Sequence, residues 1–529
     1  MLKPDAERNW DLIWAVVIVL LSSVPYLWGM AITPPGYHFL GLTHNIDDGA
    51  VYLSWMRQAA DGGFFIRNLY TTQPQPAIQF NLLFLIMGWF AAITRLPLIW
   101  VFHIFRAGLG IGLIWAVWRF AKLFMDDPNE RRILIPLVGL SAGVGWLIPG
   151  GGPPTGSVDT WQPEAITFLS IYLNPLFLAG LILMIGAFYW LVLAHRTGCP
   201  ACAALAGASL LLLGNIHTYD VFTVACVWTA YLIVDAIAAR RVPVRTIGLS
   251  ALAAAIAAPS IAYQFYVYAS DPIYRARVNT PIPSPPIWSF FTGYGLVLLG
   301  AVVGAAILLR GRSFNIQHST FNTSGLLLVW SVIGFALPYI PVAQQRKLVM
   351  GLHIPLCILC AIGLARLLSR APRSVAHGLL LAFILFTMGS NVQFTTLDTL
   401  RLSGEPPRTV THYLPYLSDS ELAAMTYVRE HTGENESVLA PPTFALFTPV
   451  YAGRHVFYGH FSETPDHAAK ITYWADLVRQ PDRSLARQML IDTGADYYVY
   501  EATPGTAGPP LLRRVFHSDD VAIYRIPRR

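Results

Sequence analysis

Charged residues are scarce in this chain: Asp, Glu, Lys and Arg make up only 12% of its 529 residues. An ordinary globular domain carries about twice that fraction. The hydrophobic share is 54%, and many of these residues lie in runs long enough to cross a hydrocarbon core, which takes about 20 residues each. The composition therefore excludes a disordered chain, a fibre or a small secreted scaffold, and it predicts an integral membrane protein.

Cysteine is also rare, and none of the five cysteines falls in the hydrophilic C-terminal part of the chain. That part therefore folds without disulfides if it lies outside the cytoplasm. Cys199-Pro-Ala-Cys202 has the spacing of a redox or zinc motif, but no second Cys/His pair accompanies it. A loop is the favoured interpretation.

Long basic tracts are missing as well, although the formal net charge is +6. The basic residues stand in short clusters between apolar runs, so no nucleic-acid partner is expected. The sequence has no glycine-rich phosphate loop and no repeat of solenoid period. These absences leave membrane topology as the main reason for the basic clusters.

Eleven apolar segments have about the length that a bilayer requires. They are residues 12–32, 98–120, 132–149, 172–194, 203–219, 221–239, 246–269, 288–309, 324–341, 348–368 and 374–391. Cytoplasmic loops retain Lys and Arg, and this bias predicts a cytoplasmic N-terminus in a multi-pass plasma membrane protein. The odd number of spans then predicts an extracytoplasmic C-terminus.

One further apolar segment, Phe80 to Thr94, does not fit this scheme. A full crossing there would reverse every later loop and contradict the Lys/Arg bias. We therefore interpret the segment as a re-entrant or interfacial helix within the first outer loop, residues 33–97.

After about Asp398 the composition becomes that of an ordinary soluble protein. Helical periodicity over Glu421 to His431 is followed by short apolar runs, which indicate alternating helices and strands. The fold prediction is a mostly α-helical polytopic membrane domain over residues 1–397 and an extracytoplasmic α/β domain over 398–529.

The first outer loop places two adjacent acids, Asp47 and Asp48, at the start of a predicted amphipathic helix that carries Tyr52. Aspartate caps helices and is favoured at the positive end of the helix dipole, so one acid there has a structural explanation. The second acid favours catalysis. His44, just before the pair, is a candidate supporting residue.

A long first outer loop with an acid pair before an interfacial helix, then about a dozen spans and a C-terminal outer domain, resembles the GT-C superfamily of glycosyltransferases. Its members take sugars from polyprenyl-phosphate carriers. The resemblance implies that the loop acid is catalytic. The aromatic residue four positions on, Tyr52, assigns that role to Asp48, with Asp47 second; Gly49 departs from the common Asp-Glu pattern and leaves the choice between the two acids open.

The second outer loop, Gly150 to Glu164, carries Asp159 and Glu164. In the oligosaccharyltransferase branch of the family, acids of this loop help to bind a divalent metal. The resemblance thus implies Asp48, Asp159 and Glu164 as ligands of a Mg²⁺ or Mn²⁺ ion, since these cations prefer oxygen ligands. The alternative is that the two loop acids only solvate the loop.

His217 and Asp220 lie at the predicted outer turn between the fifth and sixth spans. Ionisable residues at such depth are costly and usually face a cavity. They are candidates for orienting an acceptor, and packing is the equal alternative for a lone histidine.

Arg346 and Lys347 lie at the predicted outer end of the tenth span, against the positive-inside bias. Cations there favour a polyprenyl phosphate, which they bind by charge-assisted hydrogen bonds. The alternative is contact with phosphates of membrane lipids. Arg106, deeper in the second span, is expected to pair with an acid or with the donor phosphate.

Together these features predict a glycosyltransferase of the cell envelope. It moves a sugar from a polyprenyl-phosphate donor to an extracytoplasmic glycan, lipid or protein acceptor by a single, inverting displacement. The alternative is a transporter or flippase of a lipid-linked or anionic substrate, which also carries ionisable residues in its spans.

Overall fold

A computed structural model of the protein describes residues 9–148, 152–310, 324–402, 415–502 and 511–528. The Gly150 end of the second predicted outer loop lies outside these residues. Helices dominate the described chain. They are α1 Trp10–Ala31, α2 Ile46–Ala60, α3 Leu82–Thr94, α4 Leu98–Ala121, α5 Pro128–Leu140, α6 Thr167–Leu173, α7 Pro175–Thr197, α8 Pro200–Ile216, α9 Tyr219–Ala239, α10 Val244–Ser270, α11 Pro272–Asn279, α12 Ile287–Arg310, α13 Ser324–Ala336, α14 His353–Leu368, α15 Arg373–Thr387, α16 Gly389–Leu402, α17 Asp419–His431, α18 Pro442–Tyr451, α19 His467–Arg479 and α20 Arg483–Asp492.

Seven helices of the described chain are long and apolar enough to cross a membrane, or eight if the bent pair α15–α16 is one span. Every predicted span overlaps an α-helix, although the segment 132–149 is α-helical only as far as Leu140. The remaining three correspond to α5, α8 and α13, which are shorter than the roughly 20 residues of a full crossing. The expectation of a mostly helical membrane protein with a small C-terminal α/β part is confirmed.

The chain divides into two compact units. The helical unit comprises Met1–Val24, His103–Tyr266 and Pro281–Leu397. The sheet unit comprises Pro25–Phe102, Val267–Thr280 and Asp398–Arg529. The whole of the first predicted outer loop, residues 33–97, therefore groups with the C-terminal residues, a grouping that the sequence did not predict.

In the helical unit, the segment Gln345–Leu368, which contains α14, is the most enclosed of the described candidate spans. Of its most apolar 18-residue stretch, 89% is buried. Glycines on its neighbour α12 make this possible. A side chain at Gly304 would collide with the carbonyl oxygen of Leu359, and one at Gly300 with the thiol of Cys360. Gly300 and Gly304 are four residues apart, the small-residue spacing that lets membrane helices approach closely.

The described residues of the sheet unit form seven short strands. They are β1 Tyr37–Phe39, β2 Tyr416–Ser418, β3 Ser437–Leu439, β4 His455–Val456, β5 Tyr497–Glu501, β6 Arg513–Ser518 and β7 Val521–Arg525. Five of them form one sheet in the order β4-β3-β5-β7-β6, in which β3 is parallel to both of its neighbours. The antiparallel pair β1–β2 joins the first loop to the C-terminal part, with Tyr37 opposite Ser418.

The segment that did not fit the topology forms α3, a helix of 13 residues or about 20 Å. The side chain of Asn81 caps it by accepting hydrogen bonds from the amides of Leu83 and Phe84. Gly88 lets it pack closely against α2, since a side chain there would collide with Ala59. The helix is shorter than a hydrocarbon core of about 30 Å. Its interfacial or re-entrant placement stays a prediction.

Candidate active site

The acid pair Asp47 and Asp48 lies in the first turn of α2, where the helix dipole favours negative charge. Neither acid is the N-cap. That position is held by Asn45 in the left-handed conformation (φ 48°), and its side chain makes no capping hydrogen bond. The next residue, Gly49, has to be small because a side chain there would come within 2.6 Å of Leu42. Capping therefore does not explain the two acids.

His460 is the buried partner of this pair, and the sequence analysis missed it. Its Nε2 atom lies 3.2 Å from Oδ1 of Asp48 and 3.7 Å from Oδ2 of Asp47. The histidine side chain is 2% exposed, whereas that of Asp48 is 40% exposed and that of Asp47 is 25% exposed. We call Asp47, Asp48 and His460 the acid site. In this site a buried histidine lies beneath an accessible carboxylate.

The hydrogen bonds of His460 determine its tautomer. The backbone amide of Ser462 donates to Nδ1 at 3.2 Å, and an amide can only donate. The ring proton therefore resides on Nε2, which donates to Asp48. Loop bonds hold this arrangement, because Thr464 donates its amide to the carbonyl of His460 and its hydroxyl to the carbonyl of Tyr70.

The surroundings of the acid site raise the pKa values of both Asp47 and His460. Burial, and then the charge of Asp48, raise the pKa of Asp47 above its ordinary 3.8. Burial by itself lowers the pKa of His460, but the hydrogen bond that its Nε2 donates to Asp48 and the charges of Asp48, Asp47 and Glu463 outweigh it and raise that pKa above 6.5. The site thus disfavours two charged carboxylates together, and the more exposed Asp48 is the better candidate base.

An ion pair that the sequence did not suggest lies on the same loop. Nε of Arg277, on α11, is 2.6 Å from the buried carboxylate of Glu463. The guanidinium also lies 4.9 Å from the ring centre of Trp55 on α2. Arg277 therefore contacts both the loop that carries His460 and the helix that carries the two acids.

The two supporting candidates of the first loop have different surroundings. Tyr52 is a packing residue: it is 9% exposed and stacks on Phe84 at 4.9 Å between ring centres. His44 is half-buried and lies one residue before the helix N-cap. Its supporting role stays a prediction.

In the helical unit, Arg346 and Lys347 occupy a short 3₁₀ helix, Gln345–Val349, and both rest on aromatic rings. The Arg346 guanidinium lies 5.3 Å from the ring centre of Trp161, and the Lys347 ammonium lies 5.1 Å from that of Tyr219. Nη2 of Arg346 is 3.8 Å from Oε1 of Glu164, an ion pair looser than a hydrogen bond. Their donor-binding role stays a prediction.

The two acids of the second outer loop have opposite environments. Asp159 is fully buried, and its oxygens accept hydrogen bonds from the amides of Gly143 and Gly145 and from the hydroxyl of Ser157. Burial raises its pKa, and these bonds oppose the shift. Asp159 is therefore a structural acid that ties the loop to the unit, which corrects the expectation that it is a metal ligand.

The expected metal site does not fit this geometry. Asp159 has no oxygen to spare, and Glu164 faces the cationic Arg346. In the part of the chain that the structure describes, no group of three or more His, Cys, Asp or Glu side chains is arranged to hold a metal ion. The set of Asp48, Asp159 and Glu164 is thus not supported as a Mg²⁺ or Mn²⁺ site.

His217 and Asp220 lie together at the turn between α8 and α9. Nδ1 of His217 is 3.0 Å from Oδ2 of Asp220, and the two side chains are 6% and 0% exposed. The ring of His217 makes edge contacts with Phe177 and Tyr219. The pair is enclosed by protein, in contrast to Asp48, and an acceptor-orienting role for it stays a prediction.

Arg106 is directed at neutral oxygens. Its guanidinium donates to the hydroxyls of Ser22 and Ser23 on α1 and to the carbonyl of Ile171 on α6, at 2.8–3.1 Å, and the residue is 2% exposed. Its Nε also donates to Nδ1 of His103. These bonds link α1, α4 and α6, and the expectation that Arg106 pairs with an acid or with the donor phosphate stays a prediction.

The acid pair, the loop acids and the two cations Arg346 and Lys347 were visible in the sequence, but His460 and Arg277 were not. His460 comes shortly after β4, a parallel strand, and the carboxyl ends of parallel strands are a common place for site residues. That position is a signal by which His460 could have been found. Arg277 carries no comparable signal.

No protein-family model and no curated protein matches the chain. Solved structures do resemble it. The Archaeoglobus fulgidus oligosaccharyltransferase, crystallised with zinc and sulfate, is 11% identical with a TM-score of 0.55, over 92% of this chain and 68% of that one. ArnT from Cupriavidus metallidurans is similar over 98% of both chains. Its apo form has 12% identity and a TM-score of 0.55, and its form bound to undecaprenyl phosphate has 13% and 0.53. The chain has a GT-C-like fold.

Proposed function

We propose that this protein is a membrane glycosyltransferase that transfers a sugar from a polyprenyl-phosphate donor to an extracytoplasmic glycan, lipid or protein acceptor. The observation that carries the proposal is the acid site, where an accessible carboxylate, Asp48, is held by the buried His460. The GT-C-like fold supports it, since one similar solved structure is bound to undecaprenyl phosphate.

In the proposed reaction, the carboxylate of Asp48 accepts the proton of the acceptor hydroxyl or amide as that group attacks the anomeric carbon. The bond from the anomeric carbon to the phosphate oxygen breaks, and its electron pair leaves with the polyprenyl phosphate. Separately, we propose that Arg346 and Lys347 of the helical unit bind the phosphate of the donor by charge-assisted hydrogen bonds. A single displacement inverts the anomeric centre. His460 acts through Asp48 by orienting its carboxylate.

The test is Asp48→Asn in a transfer assay with purified protein in nanodiscs and a polyprenyl-phosphate-linked sugar. The amide keeps the shape of the side chain but loses its basicity, so transfer falls about 10²- to 10⁴-fold while donor binding is retained. The control is Asp419→Asn, on an exposed acid of the sheet unit. Transfer by Asp48→Asn near the wild-type rate overturns the catalytic role, and a selective loss in Asp47→Asn moves it to that residue. Donor binding by the wild type without any transfer favours a transporter or flippase.

The orientation is part of the same proposal: a cytoplasmic N-terminus and an extracytoplasmic C-terminal part, as the Lys/Arg bias predicts. Single cysteines replacing Arg241 and Arg429, in a cysteine-free background, test it in intact cells. A membrane-impermeant thiol reagent is expected to label position 429 but not position 241. The reverse pattern overturns the assignment.

A further inference from the structure

A second polar cluster lies in the helical unit, where Arg346 meets the loop before α6. We call Gln162, Glu164 and Arg346 the Arg346 cluster. Gln162 is 0% exposed and Glu164 is 6% exposed. Three of the buried polar atoms in this cluster have no hydrogen-bond partner among the described residues: Oε1 of Gln162, Oε2 of Glu164 and Nε of Arg346. Buried polar atoms left in this condition require an explanation.

The cluster is built by contacts that fix its side chains. The amide nitrogen of Gln162 donates to the carbonyl oxygen of Arg346 at 3.3 Å. The backbone amide of Arg346 donates to the carbonyl of Ile282, and its guanidinium lies over Trp161. The other oxygen of Glu164 stands 3.8 Å from Nη2 of Arg346. The groups without partners are therefore held in place, and they do not result from a loose loop.

The free atoms form a specific chemical pattern. Arg346 offers a charged N–H donor, which binds an oxyanion by a charge-assisted hydrogen bond. Gln162 and Glu164 each offer an acceptor oxygen, and such oxygens bind hydroxyl or amine groups. A ligand that satisfies all three carries an anionic oxygen next to hydrogen-bond donors. The head group of a sugar phosphate has this composition.

We propose that the Arg346 cluster recognises the sugar of the donor, and that it selects a hydroxylated sugar without a carboxylate. The inference rests on the proposed function and adds the class of sugar to it. Gln162 and Glu164 accept hydrogen bonds from sugar hydroxyls, while Arg346 binds the adjacent phosphate. The negative charge of Glu164 rejects a hexuronic acid, because two carboxylates in a buried site repel each other and lose their hydration.

The experiment measures binding, so that it does not depend on transfer. Purified protein in phosphatidylcholine nanodiscs is titrated with three probes: polyprenyl phosphate, the same lipid carrying a neutral hexose, and the same lipid carrying a hexuronic acid. The proteins are wild type, Glu164→Gln and Glu164→Asp. Glu130→Gln is the matched control, since it removes a half-buried carboxylate elsewhere in the same unit.

The wild type and Glu130→Gln are expected to bind the hexosyl probe about 10-fold more tightly than the hexuronosyl probe, the size of one hydrogen bond to a charged group. Glu164→Gln keeps the acceptor oxygen and loses the charge, so it binds the two probes alike. Glu164→Asp keeps the charge but withdraws it by one methylene, so it still rejects the hexuronosyl probe while its affinity for the hexosyl probe falls.

The outcomes separate this inference from the function on which it rests. Equal binding of both sugar probes by the wild type, or an unchanged preference in Glu164→Gln, overturns the sugar-recognition role even if polyprenyl phosphate binds. Failure of the wild type to bind any of the three probes overturns the proposed function as well. A preference that is lost in Glu164→Gln and retained in Glu164→Asp supports the inference.

Discussion

The acid site of the sheet unit and the Arg346 cluster of the helical unit use buried polar groups in opposite ways. In the acid site, both nitrogens of the buried His460 have partners within the protein, and the carboxylate of Asp48 is left 40% exposed. In the Arg346 cluster, the side chains are positioned but three buried atoms lack partners among the described residues. The first arrangement is complete without a ligand, whereas the second is completed by one.

This difference indicates two kinds of function. A catalytic base must already have its orientation when the acceptor arrives, so its supporting contacts are internal. A recognition site needs groups whose hydrogen bonds are made only with the correct ligand, because unmade bonds penalise the wrong one. Variants that act on one site and not on the other are therefore the sharpest tests of the comparison.

The largest expected effect in the helical unit follows from removing a cation. Arg346→Gln or Lys347→Gln deletes a charge-assisted contact to the donor phosphate worth roughly 1.5–3 kcal/mol, or about a 10- to 150-fold loss of affinity. Titration with a phosphate-bearing polyprenol, with a neutral polyprenol as control, measures it.

Contact with bulk lipid head groups alone is worth about 1 kcal/mol at most, so it leaves donor affinity nearly unchanged. Equal affinities in wild type and both variants contradict the donor role. Equal weakening of donor binding by Asp48→Asn and by Arg346→Gln contradicts the assignment of different functions to the two sites.

A smaller effect is expected from His460→Gln, seen in the pH dependence of thermal stability. The pKa of His460 is raised above 6.5 in the folded protein, so its stabilising contribution is complete below pH 6.5 and is lost as the pH rises through the folded value. The Tm advantage of wild type over His460→Gln should therefore be greatest near pH 6 and decline at alkaline pH.

His467, the first residue of α19, provides a control of opposite sign. Burial lowers its pKa, although its ring contacts the carbonyl of Gly459. Its contribution should be lost as the pH falls below 6.5, so His467→Gln has the reverse slope. Parallel slopes for the two variants contradict the assigned electrostatics of the acid site.

The smallest effect is predicted for Asp47→Asn. Because burial and the charge of Asp48 raise the pKa of Asp47, its ionised form is unfavourable in the folded protein at neutral pH. The variant should melt at the same temperature as wild type or slightly higher at pH 7. The difference should close as the pH falls through the raised pKa.

Asp482→Asn is the matched control for this prediction. Asp482 caps α20 and hydrogen bonds lower its pKa, so its ionised form is favoured and the variant should melt at a lower temperature at pH 7. A lower Tm for Asp47→Asn at neutral pH places a stabilising contact at Asp47 and contradicts the prediction.

Much of the fold follows from local sequence. Each of the eleven predicted spans overlaps an α-helix, although the segment 132–149 is α-helical only as far as Leu140, and the C-terminal runs around Val438, Tyr497 and Val521 are strands β3, β5 and β7. The length of a hydrophobic run and the alternation of apolar and polar residues are local properties, so they can be read from the sequence without tertiary information. The strand β6, which is mostly exposed, and α18 were not predicted, because neither has a clear apolar period.

The candidate site residues were likewise predicted from local properties of the sequence. Asp47, Asp48, Arg346 and Lys347 stand out because each is an unusual charge beside an apolar run, which is visible in one dimension. Their surroundings are not visible. Arg106 was expected to require an anion, and the structure adds hydrogen bonds to oxygens of α1 and α6 and to His103 that the sequence did not indicate.

The sequence alone determined that the chain is a polytopic membrane protein with an acid pair at the start of a helix and two adjacent cations beside an apolar run, since composition, run length and spacing are properties of neighbouring residues. Only the tertiary structure decided which polar groups meet. His460 reaches Asp48 across 412 positions of the chain, and Gln162 reaches Arg346 across 184. Asp159 and Glu164 are close in sequence, yet one is saturated by backbone amides and the other retains a free oxygen. The reason is physical: hydrogen bonding and desolvation depend on the atoms packed around a group, and in a folded chain most of those atoms come from distant residues.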